Sequence, residues 1–157
     1  MNALTQEQVQ TILDQVMQTI TSRLADIQLS KQEVSLSHDV CTVHTTFEGG
    51  YNATLVLYAD TALMTKLTQK VIQEESVNPQ DVEDCAREYF NVICGQIVAG
   101  LFKTAHISSR FRIPTYCEGR YVPQEDGTCM CVLNYKSKED GGAQLVHQVP
   151  HETEKVC

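Results

Sequence analysis

The sequence predicts an α+β fold, a largely antiparallel sheet packed against helices. Three features of the order of the chain point there. An amphipathic helical stretch comes first. A pair of runs rich in β-branched and aromatic residues then flanks "EGG". Two further helical stretches are followed only by extended segments.

The first element covers residues 5–27. Val9, Ile12, Leu13, Val16, Met17, Ile20, Leu24 and Ile27 recur at helical spacing and are expected to form its core stripe. Thr5 and Gln8 stand in capping-box spacing at its start. The runs "VCTVHTTF" (40–47) and "YNATLVLY" (51–58) read as a hairpin. Asp60 opens a shorter helix with Leu63, Met64, Leu67 and Val71 as its apolar stripe. A longer helix starts at Asn78, a good N-cap. Pro79 follows at the first helical position and Asp81 at the positive end of the dipole, and the helical pattern runs to about Lys103. Residues 111–122 and 128–136 are expected as strands with "PQEDG" turning between them. "KEDGG" makes another turn, and 143–149 is a last strand. One domain is expected over 1–157, with its core at about 5–149 and a frayed tail at 150–157.

Composition excludes several function classes. A net charge of −8 disfavours general nucleic-acid binding, which needs Lys and Arg to displace counterions. The apolar runs fall far short of the ~20 residues that span a bilayer, so no membrane association is expected. The opening "MNALTQEQVQ" has neither a basic nor an apolar leader region, so a cytoplasmic location is expected. Seven cysteines lie between Cys41 and Cys157 without an even framework of short spacings, so they read as free thiols, several of them buried. Cys117, Cys129, Cys131, His147 and His151 supply enough ligand types for zinc. No CxxC pair accompanies them, and no metal of the chain's own is expected.

"EDCAREYFNVICG" (83–95) carries the chemistry. On a helical wheel at about 100° per residue, Asp84, Asn91, Gly95 and Ala99 fall within about 60° of Glu88. Ala86, Phe90, Ile93, Ile97 and Leu101 take the opposite side as a core stripe. A solvated face is the simple alternative, with Arg87 pairing Asp84. Against it, like charges at i,i+4 cost about 0.2–0.5 kcal/mol, and a mid-helix Gly costs ~1 kcal/mol relative to Ala. An acidic strip that flattens into Gly95 and Ala99 leaves its backbone accessible to another surface.

Asp84, three residues, Glu88, two residues, Asn91 and then 22 residues to Pro114 resembles the signature of the CheC/CheX/FliY chemotaxis phosphatases. The motif occurs once, as in CheX-like members, and the order of elements over residues 5–149 is similar. The resemblance implies a phosphatase acting on the aspartyl phosphate of a CheY-like response-regulator receiver domain. Asn91 and Glu88 would be its catalytic residues. Asn91 would position the attacking water, and Glu88 would pair with the receiver's active-site lysine. Asp84, Gly95 and Pro114 would serve docking, with Tyr89 bordering that face. Mg²⁺ would come from the receiver, and a homodimer with paired sheets is implied. A non-catalytic receiver-binding adaptor of the same fold is the alternative. Lys103, Arg110, Arg112 and Arg120, against Glu118 alone, form a basic strip that would offset repulsion from an acidic partner.

Overall fold

In the computed structural model, residues 4–122 and 127–150 are described, with the side chains of 127–130 and 150 left aside. Residues 123–126 of the expected "PQEDG" turn, the Cys129 thiol, His151 and the expected frayed tail from 151 onward lie outside them.

Helix α1 spans Gln6–Ala25. Its capping box is formed: Gln8 N–H donates to Thr5 Oγ1, and Thr5 N–H to Gln8 Oε1, both at 3.0 Å. The hairpin strands are β2, Val40–Gly49, and β3, Ala53–Asp60. They are preceded by β1, Ser30–Lys31, two exposed residues with no strand signal in the sequence. The hairpin turn uses both glycines. Gly49 has φ +108°, and a Cβ on Gly50 would stand 2.9 Å from the Ser108 carbonyl, which accepts the Gly50 N–H. Helix α2 covers Thr61–Ile72. Asp60 precedes it but makes no side-chain cap. Its buried carboxylate instead accepts from the Ser37 and Gly142 amides, pinning two loops.

Helix α3 is the longest, Pro79–Ala105. Asn78 and Asp81 exchange side-chain-to-backbone hydrogen bonds at its start, and Pro79 needs no donor there. The expected single strand over 111–122 is instead two, β4 (Ser109–Phe111) and β5 (Thr115–Glu118). Both pair with β2, at different points along it. Pro114 lies between them. Proline cannot donate to a ladder, so it marks the break. Strands β6, Gly127–Lys136, and β7, Gly142–Pro150, complete the sheet.

Its order is β1-β6-β7-β3-β2-β4, with β5 beside β4 on β2, and every pairing is antiparallel. The expected fold class is the one observed. All three helices contribute to one core with β2, β3, β6 and β7. Its largest fully buried side chains include Leu13, Met17, Phe47, Leu57, Phe90, Ile93 and Tyr135. On the sheet, the segment after β5 is anchored to β2 and β3. Thr42 Oγ1 donates to the Gly119 carbonyl, Tyr121 stacks on His44, and Arg120 sits over the Tyr58 ring.

Two members of the expected core stripes are not in the core. Leu24 in α1 and Val71 in α2 are each 37% exposed, in the last turns of their helices.

Candidate functional site

The α3 stripe of Ala86, Phe90, Ile93, Ile97 and Leu101 is at most 1% exposed. That burial fixes the helix rotation. Asp84, Glu88, Asn91 and Ala99 are consequently exposed, and Gly95 is half-buried. Tyr89 lies beside the strip but beneath the surface. It is 4% exposed, turned under α1, where its hydroxyl lies 2.6 Å from Thr21 Oγ1. It therefore supports the motif helix from beneath.

The local ion pairs also differ from the simple alternative. Arg87 pairs with Glu83 at 3.1 Å, one turn back, and not with Asp84. Asp84 accepts a 2.9 Å hydrogen bond from the Gln80 amide. Among the described residues, Glu88 forms no ion pair, and no group hydrogen-bonds the Asn91 side chain. Burial pushes the Cys85 thiol up; its hydrogen bond to Thr68 opposes this, and the charge of Glu88 adds to it. The strip thus presents an unneutralised carboxylate and an uncommitted amide one turn apart.

Gly95 supports the same reading from another side. A Cβ built on it would meet nothing within 4 Å, so no contact inside the chain requires glycine. Gly100 contrasts with it: a Cβ there would come within 3.0 Å of Ile12 Cγ2, where α1 crosses α3.

Pro114 is buried in the link between β4 and β5. It shapes that link and presents no polar side chain to the strip. The basic stretch is largely spoken for. Arg110 and Arg112 both pair with Glu48, and Arg112 holds that carboxyl below its usual range. Among the described residues, no group of three or more His, Cys, Asp or Glu side chains is placed to hold a metal ion. His147 is buried against the Tyr51 hydroxyl. No described helix is long and apolar enough to cross a membrane.

Beside the acids lies a groove of about 510 Å³ that the sequence did not signal. Leu24, Val71 and Ile72 come from the last turns of α1 and α2. Cys85, Tyr89 and Val92 come from α3, with Asp81, Asp84 and Glu88 also lining it. Apolar residues in a helical stripe read as core, so periodicity alone could not have identified them.

The chain matches the family model described as chemotaxis phosphatase CheX over residues 41–134. None of the curated proteins matches it. Among solved structures it is similar to the chemotaxis protein CheX from Desulfovibrio desulfuricans, with a TM-score of 0.77 at 14% identity, covering 90% of this chain and 98% of that one. CheX from Vibrio vulnificus gives 0.75 at 14% identity, covering 89% and 97%. A chain of the CheX–CheY–BeF3–Mg²⁺ complex from Borrelia burgdorferi gives 0.73 at 10% identity, covering 91% and 98%. At such identities the likeness is one of fold.

Proposed function

The chain belongs to the family of the chemotaxis phosphatase CheX, and from that premise we propose that it hydrolyses the aspartyl phosphate of a CheY-like receiver domain. The observation that carries this reading is the exposed, unengaged pair of Glu88 and Asn91 on one face of a helix whose rotation is fixed by its buried stripe.

An acyl phosphate is already activated, so the chain need supply neither nucleophile nor metal. It must hold a water in line with the P–O bond, which is catalysis by positioning. An amide suits that task. The Asn91 carbonyl accepts from the water, and its NH₂ donates to the phosphoryl oxygens. A carboxylate there would face those oxygens with like charge. The water oxygen bonds to phosphorus, the bond from phosphorus to the receiver's aspartyl oxygen breaks, and the carboxylate leaves as inorganic phosphate forms. Glu88 pairs with a receiver lysine and fixes the approach, while Asp84 and Gly95 extend the contact. Mg²⁺ belongs to the receiver; the Borrelia burgdorferi complex holds CheX and CheY together with BeF3 and Mg²⁺.

The test is the decay of a phosphorylated CheY with and without this protein. Accelerated release of phosphate is expected. Binding without acceleration would support the adaptor instead.

A further inference from the structure

A groove lies beside the motif strip, where α1 and α2 end. Leu24, Val71 and Ile72 are 37%, 37% and 41% exposed around it, whereas Leu13, Met17 and Ile20 of α1 and Leu63, Met64 and Leu67 of α2 are buried. Tyr89 and Cys85, both buried, form its floor. Its charged lining is of one sign, Asp81, Asp84 and Glu88, with no basic side chain. Lys70, next to Val71 in sequence, lines a separate hollow with Asp26 and Asp140. Clustered exposed apolar side chains of this kind mark interaction sites.

Glu88 belongs both to this groove and to the motif strip. A domain-sized body seated on Glu88 would therefore extend over Leu24, Val71 and Ile72 as well. We propose that the groove seats the receiver domain itself, taking an aliphatic or aromatic side chain that stands beside a Lys or Arg on the receiver's surface. This inference rests on the function proposed above and adds to it. The motif strip performs the chemistry, and the groove between the ends of α1 and α2 supplies affinity and receiver choice. Apolar contact would bind the anchor. The acidic lining would select a basic neighbour and disfavour receivers that present an acid there.

The test measures binding of the source organism's own CheY, loaded with beryllofluoride and Mg²⁺, by calorimetric titration. The double variant Val71→Ser/Ile72→Ser alters only exposed positions. It should raise Kd about tenfold or more, as loss of an interface anchor does. Leu24→Gln, on the opposite wall, should weaken binding independently. Val132→Ser removes an apolar side chain that is 42% exposed on β6, where the adjacent Leu133 is the one turned into the core, and should leave Kd within about twofold. Circular dichroism and thermal melting establish that each variant is folded. Unchanged Kd in both groove variants would overturn the inference while leaving the phosphatase reading intact. So would loss of self-association with receiver binding unchanged, which would assign the groove to a second copy of the chain. Failure of the wild-type protein to bind the loaded CheY would remove both.

Discussion

The Tyr89 hydroxyl donates to Thr21 Oγ1 across 2.6 Å, linking the motif helix to α1 within the core. The direction follows from Thr21, whose own hydroxyl proton goes to the Met17 carbonyl at 2.6 Å. Tyr89 immediately follows Glu88 and stands two residues before Asn91. The bond therefore holds the turn that presents both side chains, and burial pushes the Tyr89 phenol up to about 12.

Tyr89→Phe should lower stability by about 1 kcal/mol, the typical worth of one such hydrogen bond. Thr21 keeps its bond to Met17, so no new buried donor is orphaned. Urea denaturation at neutral pH measures the loss. Tyr89→Ala also empties a buried position and should cost about 3–5 kcal/mol, by analogy with Phe→Ala.

Docking and catalysis should separate at the motif. Asn91→Ala removes the group that orders the water but few docking contacts. It should abolish stimulated dephosphorylation and largely retain receiver binding. Glu88→Lys sets a cation against the receiver's lysine and should weaken both. Both positions are exposed, so each change should leave stability within about ±0.5 kcal/mol. Phe90, 0% exposed, is the contrast: its truncation to Ala should cost about 3–5 kcal/mol. If Asn91→Ala accelerates phosphoryl loss as wild type does, Asn91 is not the water-positioning group.

Local chemistry was the legible part of this chain. Thr5 with Gln8, and Asn78 with Pro79 and Asp81, are caps written within four residues, and all form as read. The motif-helix wheel was equally readable, because a five-residue buried stripe fixes its rotation. What failed depended on neighbours distant in sequence. The side of α3 that Tyr89 occupies is covered by α1, and no periodicity reports that. Leu24 and Val71 keep the helical period but are exposed in the last turns of their helices. Arg110 and Arg112 looked like a free basic strip until β4 paired with β2 and brought them to Glu48. The break at Pro114 could have been read, since proline interrupts a ladder.

Self-association should follow from the sheet edges. Among the described residues, β1 covers β6 only near its end, at Ser30↔Lys136 and Lys31↔Tyr135, and at the opposite end β4 and β5 pair only with β2. Ile113, Val122 and Val132 are 86%, 66% and 42% exposed along these margins. An open edge with apolar flanks invites strand pairing, and a homodimer joined edge to edge is expected. Sedimentation showing only monomer at tens of micromolar, a rough scale for a weak dimer, would refute it.

Acid should destabilise the protein through His147. The ring is 3% exposed, its Nδ1 has no hydrogen-bond partner among the described residues, and burial lowers its pKa to about 4 from an ordinary 6.5. Between those values the unfolded chain binds the proton and the folded one does not. Stability is therefore fully present above the unfolded pKa and falls as pH drops toward the folded one. Between pH 7 and pH 5 the loss from this residue should be about 2 kcal/mol. The difference in urea-unfolding free energy between the two pH values should shrink by about that amount in His147→Leu. An undiminished difference would place the acid sensitivity elsewhere.

Gly95 sets stability against docking. It lies within α3, where Ala is favoured over Gly by about 0.5–1 kcal/mol, and a Cβ there meets nothing within 4 Å. Gly95→Ala should therefore stabilise the isolated protein by roughly that amount, seen as a higher urea midpoint. If the strip is the docking face, the added methyl stands between α3 and the receiver, and the same variant should bind beryllofluoride-loaded CheY several-fold more weakly. Gly100→Ala is the internal comparison. Its methyl meets Ile12 at 3.0 Å, so α1 must give way and the stability gain should be smaller or reversed. A Gly95→Ala protein that is both more stable and equally tight for the receiver would show that this glycine faces open solvent in the complex.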